Sequence, residues 1–417
     1  MLSKKIIFGI SIQTSILVSV SEYFTLGTVI LVNYFIAAKY GVAELGIFSF
    51  CYAIAQIGVL GIGGALNVII RRDISVNKYK QTEYIITATI IKALLLIIYV
   101  SLVVMLKKEF SNYKFLLIII LSKGFDNLSD TFHVTFQTLG LYKYYYWLKN
   151  TYNILITASI IYLVFMSRDI KFLYYLLVSI SMIMLMINCY YYWFKFGKKI
   201  FISKPISYKY FLGESWALIL NHLFFQLHSR ISILILYPLL GKELLGVFTA
   251  GITTTTLFSN FSNAIGVVAL PQMTLDYVQN KTKFLISYLK LIKIGFIISI
   301  CITVFYLLTI NLQLLFLHLS NEHYKIFIFF GFSLPFIFLI GLLGNSFVMI
   351  GKQQIGLLSS VIMFIINIPL LFFMGKYYGI FGAVISYLLS AILQMVLISN
   401  TVYFYVKRKI VEDSINT

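Results

Sequence analysis

The sequence predicts an all-α polytopic membrane protein with about twelve transmembrane helices. Of its 417 residues, 60% are hydrophobic and 11% are charged, and the mean hydropathy is +0.93. Soluble domains carry about 25% charged residues, so this chain lacks the charges needed to cover a surface in water. Its apolar runs are long, as in 294–310 (IGFIISICITVFYLLTI). The composition therefore excludes a soluble enzyme, a nucleic-acid-binding protein and a secreted disulfide scaffold.

The apolar runs and the loops between them predict the topology. Lys and Arg number 21 on the side of both termini and 9 on the opposite side, which places both termini in the cytoplasm. The N-terminus is basic and then apolar like a signal sequence, but it continues into a full-length span and predicts an uncleaved first helix. The predicted spans are 12–37, 45–70, 84–106, 115–139, 147–167, 172–194, 214–237, 244–270, 288–317, 326–350, 355–375 and 380–405.

A basic loop and an internal repeat divide the chain near its midpoint. The loop 195–213 contains five lysines and predicts a linker between two six-helix bundles, residues 1–200 and 201–417. Residues 40–50 (YGVAELGIFSF) and 240–250 (LGKELLGVFTA) share Gly, Leu, Gly and Phe at an offset of 200 positions. Both lie between the first and second span of their half, which favours two parallel repeats. A chance match between turns rich in Gly and Leu is the alternative.

Three segments carry a resemblance to a known family. They are YGVAELGIFSF (40–50), GGALNVIIRRDI (63–74) and YYGIFGAVIS (377–386). With the predicted topology they resemble the polysaccharide flippases, the Wzx-type O-antigen transporters of the multidrug/oligosaccharidyl-lipid/polysaccharide (MOP) exporter superfamily.

The resemblance implies a fold and a function. It implies two six-helix bundles around a central cavity, as in MATE transporters. It further implies a flippase for undecaprenyl-diphosphate-linked oligosaccharide, acting by alternating access in the bacterial inner membrane during O-antigen and lipopolysaccharide biosynthesis. The implied partners are the lipid-linked glycan, membrane lipids, a polysaccharide polymerase and a chain-length regulator.

Ionisable residues inside predicted spans are the candidate functional residues, because each costs about 2.5–3.5 kcal/mol to insert. Glu22 lies on a polar stripe of the first span and is a candidate for ligand contact or ion coupling. The alternative is a carboxyl kept protonated at a helix contact. The seventh span carries Asn221, His222, Gln226 and Arg230, and the repeat pairs His222 with Glu22.

Arg230 is the sharpest candidate for binding the substrate. A guanidinium stays charged and can hold two phosphate oxygens in a fork. The alternative is that it extends to the outer interface of the membrane. Both interpretations remain open on sequence alone.

The fourth span carries Lys123, Asp126 and Asp130 on one stripe, with His133 slightly off it. Lys123 is a candidate cavity residue, and the two carboxylates, one turn apart, are candidates for ion coupling. The alternative is local neutralisation, with Lys123 pairing with Asp126 three residues later. Lys92, in the third span, is expected to extend to the cytoplasmic interface.

Two other functions compete with the flippase. One is a MATE-like, cation-coupled antiporter of drugs or metabolites. The other is a membrane polysaccharide polymerase or ligase, which the short external loops, of about eight residues at most, argue against. The sequence has no GxxxxGK[ST], GxSxG or HExxH motif. We therefore expect a non-enzyme that uses no cofactor and binds no metal.

Overall fold

The computed structural model describes a nearly all-helical chain. It covers residues 6–7, 10–76, 80–107, 112–166, 169–197, 208–344, 346–350 and 352–416. A short antiparallel pair, β1 (Ile6–Ile7) and β2 (Ile10–Ser11), precedes the first helix. The rest of the described regular structure is helical, as the composition predicts.

Six helices follow the strand pair: α1 (Ile12–Tyr40), α2 (Val42–Val76), α3 (Gln81–Met105), α4 (Tyr113–Thr138), α5 (Tyr142–Phe165) and α6 (Ile170–Phe196). The next are α7 (Tyr208–Gln279), α8 (Lys281–Phe316), a 3-10 turn (Asn321–His323), α9 (Tyr324–Leu343), α10 (Ser346–Met349) and α11 (Gln353–Asn416). The longest two each consist of two helices, because the backbone leaves helical geometry at Gly241 in α7 and at Gly379 in α11.

The protein is a multi-pass membrane protein. Among the described residues, eight helical segments are long and apolar enough to cross a bilayer. Many of their large apolar side chains point outward, such as Phe165, Leu308 and Phe194, which is the arrangement expected in contact with lipid. The span number of twelve stays a prediction.

The chain forms two compact units. The first contains Met1–Lys39 and Ile47–Arg230, and the second contains Tyr40–Gly46 and Ile231–Thr417. In the first, Phe132, Phe136 and Tyr192 belong to a buried cluster. In the second, Phe284 and Tyr288 belong to another. The predicted bundle boundary at residue 200 stays a prediction.

The repeated turns, residues 40–46 and 240–246, both lie in the second unit and contact each other reciprocally. Gly41 (φ 91°) and Gly241 (φ 77°) both adopt the left-handed conformation that favours glycine. A Cβ on Gly46 would overlap the carbonyl oxygen of Lys242, and a Cβ on Gly246 would overlap that of Val42. Exchanging each residue for its counterpart 200 positions away converts one contact into the other, as a two-fold relation between the turns requires. This geometry supports the inferred repeat.

Candidate functional site

Two cationic side chains of the first unit meet at one aromatic ring. Lys123 in α4 has its Nζ 5.2 Å from the centre of the Tyr52 ring in α2. Arg230 in α7 has its Cζ 5.7 Å from the same centre. Both distances are within the range in which a cation is attracted to the face of a ring. The two cations are thus held on a rigid support, at most about 11 Å apart.

The carboxylate of Asp126 contacts one of these cations. Lys123 Nζ lies 2.7 Å from Asp126 Oδ2, one turn further along α4. Tyr152 in α5 donates a hydrogen bond of 2.9 Å to the same oxygen. We define the Tyr52 cluster as Tyr52, Lys123, Asp126, Tyr152 and Arg230. The contact of Lys123 with Asp126 is the one expected from local neutralisation, one of the two alternatives that the sequence leaves open.

The Tyr52 cluster has an excess of one positive charge. Within the cluster the two cations are balanced by the one carboxylate of Asp126, and the side chain of Lys123 is 20% exposed. The Nε of Arg230 is buried and has no hydrogen-bond partner among the described residues. A buried guanidinium nitrogen without an acceptor carries a desolvation cost that an anionic oxygen would remove. The cluster can therefore accept an anion.

The second carboxylate of α4 has different partners. Asp130 Oδ1 lies 3.5 Å from Nδ1 of His133, and Asp130 is 47% exposed whereas His133 is 12% exposed. The two carboxylates one turn apart are therefore paired separately, each with a side chain of its own helix three residues away. Their role in ion coupling stays a prediction.

The expectation that Lys92 extends to the cytoplasmic interface is wrong. Lys92 is the twelfth of the 25 residues of α3 and is only 3% exposed. Its Nζ donates to Asn67 Oδ1 (2.7 Å), to the Asn127 backbone oxygen (2.9 Å) and to Thr131 Oγ1 (2.8 Å). The reason is that three oxygens on α2 and α4 hold the ammonium group inside the protein.

Three of the predicted site residues have side chains outside the described part of the chain. They are Glu22, Asn221 and His222, so the predicted Glu22/His222 pair stays a prediction. Gln226, one turn before Arg230, is half-buried.

Sequence reasoning missed the two tyrosines of the Tyr52 cluster. The chain contains 31 tyrosines, and several of them, such as Tyr190 and Tyr377, are exposed. The signal available for Tyr52 is its position inside an apolar span, four residues after Phe48.

Solved structures of membrane transporters superpose on this chain. An inward-facing MATE family transporter of the MOP superfamily superposes with a TM-score of 0.70 at 16% identity and covers 98% of both chains. The chain has the MOP exporter fold. The expected resemblance to this superfamily is confirmed.

Two further structures share the MOP exporter fold. The lipid II flippase MurJ, in an inward closed conformation, gives a TM-score of 0.70 at 16% identity and covers 94% of this chain and 87% of its own. An outward-facing MATE family transporter of the MOP superfamily gives 0.64 at 13% identity and covers 96% of both chains. The fold therefore occurs in both flippases and multidrug transporters.

One curated relative has a name that concerns polysaccharides. The chain is 28% identical over 183 residues to "Capsular polysaccharide biosynthesis protein CapF" of Staphylococcus aureus. The match covers 43% of this chain and 46% of that protein, so it spans less than half the length of the curated relative. No family model matches the sequence.

Proposed function

We propose that the protein is a flippase that moves an undecaprenyl-diphosphate-linked oligosaccharide across the bacterial inner membrane, with both termini in the cytoplasm. The observation that carries this proposal is the Tyr52 cluster, which offers two cations and one carboxylate inside a MOP exporter fold. A diphosphate has two adjacent anionic groups, and each of the two cations attracts such a group.

The comparisons support the same substrate class. MurJ is a lipid II flippase, and the curated relative is a capsular polysaccharide biosynthesis protein. The glycan is the repeat unit of a surface polysaccharide, for which O-antigen is the class that the sequence resemblance implies. A polysaccharide polymerase and a chain-length regulator are the partners that would use the flipped product.

The proposed cycle is alternating access without bond making or breaking. The Arg230 guanidinium binds phosphate oxygens in a fork, while Lys123 contributes a second charge and Tyr52 keeps both cations in place. The prenyl chain remains in lipid. Inward-facing and outward-facing forms of solved transporters with this fold support such a cycle.

The test is complementation of a deletion strain. Wild type, Arg230→Ala and Arg408→Ala are supplied in turn, and lipid-linked oligosaccharide on the cytoplasmic leaflet is measured together with membrane insertion. Arg408 is the matched control, because it is an exposed arginine that pairs with Glu412 along its own helix. We expect accumulation in the deletion strain, rescue by wild type and Arg408→Ala, and no rescue by Arg230→Ala.

Two other results have distinct meanings. Rescue by an inserted Arg230→Ala would keep the flippase and remove the phosphate role of Arg230. A deletion strain that still makes the polymer and accumulates no intermediate, in a host with no second flippase gene, would reject the flippase itself.

A cation-coupled antiporter is the second candidate. The solved MATE transporters favour it, as does the 47% exposed carboxylate of Asp130, which could bind a cationic substrate or a coupling ion. Under this alternative, Asp130→Asn abolishes drug efflux and the deletion strain has normal surface polysaccharide.

A further inference from the structure

The environment of Lys92 has the composition of a cation site. Its three acceptors are an amide oxygen, a backbone carbonyl oxygen and a hydroxyl oxygen, from α2 and α4. Neutral oxygens of these kinds, together with carboxylates, are the ligands that hard cations prefer. None of the three acceptors is a carboxylate, so the oxygen set is neutral and suits a single positive charge.

The ammonium group uses its entire donor capacity in this site. A lysine ammonium has three N–H donors, and Lys92 makes three hydrogen bonds of 2.7 to 2.9 Å. The site is therefore satisfied by a cation in place and has no donor left for a substrate.

A cavity beside Lys92 contains one more oxygen. Lys92 and Asn127 both line this cavity, which has room for about one water molecule. The Oδ1 of Asn127 is buried without a hydrogen-bond partner among the described residues, while its Nδ2 donates to the Val59 backbone oxygen at 2.9 Å. Asn127 can thus supply a fourth oxygen to a cation.

The close packing of α2 against Asn127 fixes this geometry. A Cβ on Gly63 would overlap both side-chain atoms at the end of Asn127. The absent side chain at Gly63 lets Asn127 lie against the backbone of α2. This packing holds the Asn127 side chain in place beside Lys92.

We propose that the Lys92 ammonium is a built-in cation, occupying an oxygen site between α2 and α4 that accepts a free monovalent cation when the side chain is shortened. The ammonium joins three helices of the first unit, and it makes their packing independent of sodium or potassium in solution. The proposal concerns a site separate from the Tyr52 cluster and does not depend on the substrate that is transported.

Thermal unfolding of the purified full-length protein in detergent tests the proposal. Wild type, Lys92→Ala and Lys143→Ala are compared in choline chloride, sodium chloride, potassium chloride and methylammonium chloride at equal ionic strength. Lys143 is an exposed lysine of α5 and is the control. Choline is too large to enter the site, whereas the other cations fit a site shaped for an ammonium group.

We expect the unfolding midpoint of Lys92→Ala in choline to be lower than that of wild type by about 5 °C or more. Methylammonium, sodium or potassium should restore at least half of that loss with a saturating concentration dependence. Wild type and Lys143→Ala should show equal midpoints in all four salts. A normal midpoint for Lys92→Ala in choline, or a loss that none of the three cations restores, would overturn the proposal.

Lys92→Met covers the case in which the alanine variant does not fold. Methionine keeps most of the length and volume but has no charge, and its methyl group fills the space that a free cation needs. We expect a lowered midpoint in every salt, with no recovery. A midpoint equal to that of wild type would show that the oxygen site needs no cation and would reject the proposal.

Discussion

Lys92 and Lys123 lie on neighbouring helices of one unit, yet their surroundings differ in every respect. Lys92 is buried and holds three neutral oxygens, whereas Lys123 is 20% exposed and holds one carboxylate and the face of an aromatic ring. A cation with all its donors used inside the protein has a structural role. A partly exposed cation, next to an arginine whose Nε has no hydrogen-bond partner in the described part of the chain, is available to a ligand.

The largest loss of stability is expected when Lys92 is exchanged for arginine, and the same exchange at Lys123 is the comparison. Lys92→Arg places a wider group with five donors in a site of three oxygens, which should cost about 3 kcal/mol in stability through overpacking and unpaired donors. Lys123→Arg should cost less than about 1 kcal/mol because the site is partly open. Unfolding in mixed detergent micelles measures both variants. Equal losses of stability in Lys92→Arg and Lys123→Arg would remove the distinction between the two lysines.

A glycine substitution tests how tightly the Lys92 site is built. Gly63→Ala should cost about 1–3 kcal/mol, since its Cβ displaces Asn127. Gly27 is the matched control, because a Cβ there meets no atom within 4 Å, and alanine is the better helix former by about 1 kcal/mol. The same unfolding experiment applies. A Gly63→Ala variant as stable as Gly27→Ala would mean that Asn127 can move without loss.

Removal of the Asp126 carboxylate tests which groups of the Tyr52 cluster contact the ligand. Asp126→Asn leaves Lys123 and Arg230 without a counter-charge, so a diphosphate-linked lipid should bind about fivefold more tightly, which corresponds to about 1 kcal/mol. Isothermal titration of the detergent-solubilised protein gives the affinity. Weaker binding by Asp126→Asn than by wild type would show that Asp126, and not the two cations, contacts the ligand.

Lys39 extends the comparison to a partly buried lysine at the end of a helix, with the smallest expected effect on stability. Its Nζ donates to the backbone oxygens of Met166 (2.7 Å) and Leu163 at the end of α5. A cation at a helix C-terminus contributes about 0.3–1 kcal/mol, so Lys39→Ala should lower stability by that amount. A loss as large as that of Lys92→Ala would show that burial does not separate the two sites.

The fold was predictable from the sequence because hydrophobic length and charge distribution are properties of single segments. The glycine turn at 40–46 and its counterpart at 240–246 were also readable, since both must adopt positive φ angles. The Lys123–Asp126 pair followed from helical spacing alone.

The surroundings of Lys92 and the ring that joins Lys123 to Arg230 were not predictable. Asn67, Lys92 and Thr131 lie on three different helices, and Tyr52 is separated from Arg230 by almost 180 positions. Such contacts depend on the rotation of each helix about its axis. The hydrophobic pattern specifies that rotation poorly, because lipid and protein interior are equally apolar.

The reciprocal contact of Gly46 and Gly246 has a consequence for how the two halves diverge. Each glycine meets a backbone oxygen of the other turn, so the identities of residues 42 and 242, Val and Lys, do not enter the contact. The surrounding helices can accept unrelated side chains in each half while the two turns stay in place. If the two halves arose by gene duplication, sequence similarity between them would therefore persist longest at these glycines. The helices on either side could lose all similarity to their counterparts earlier.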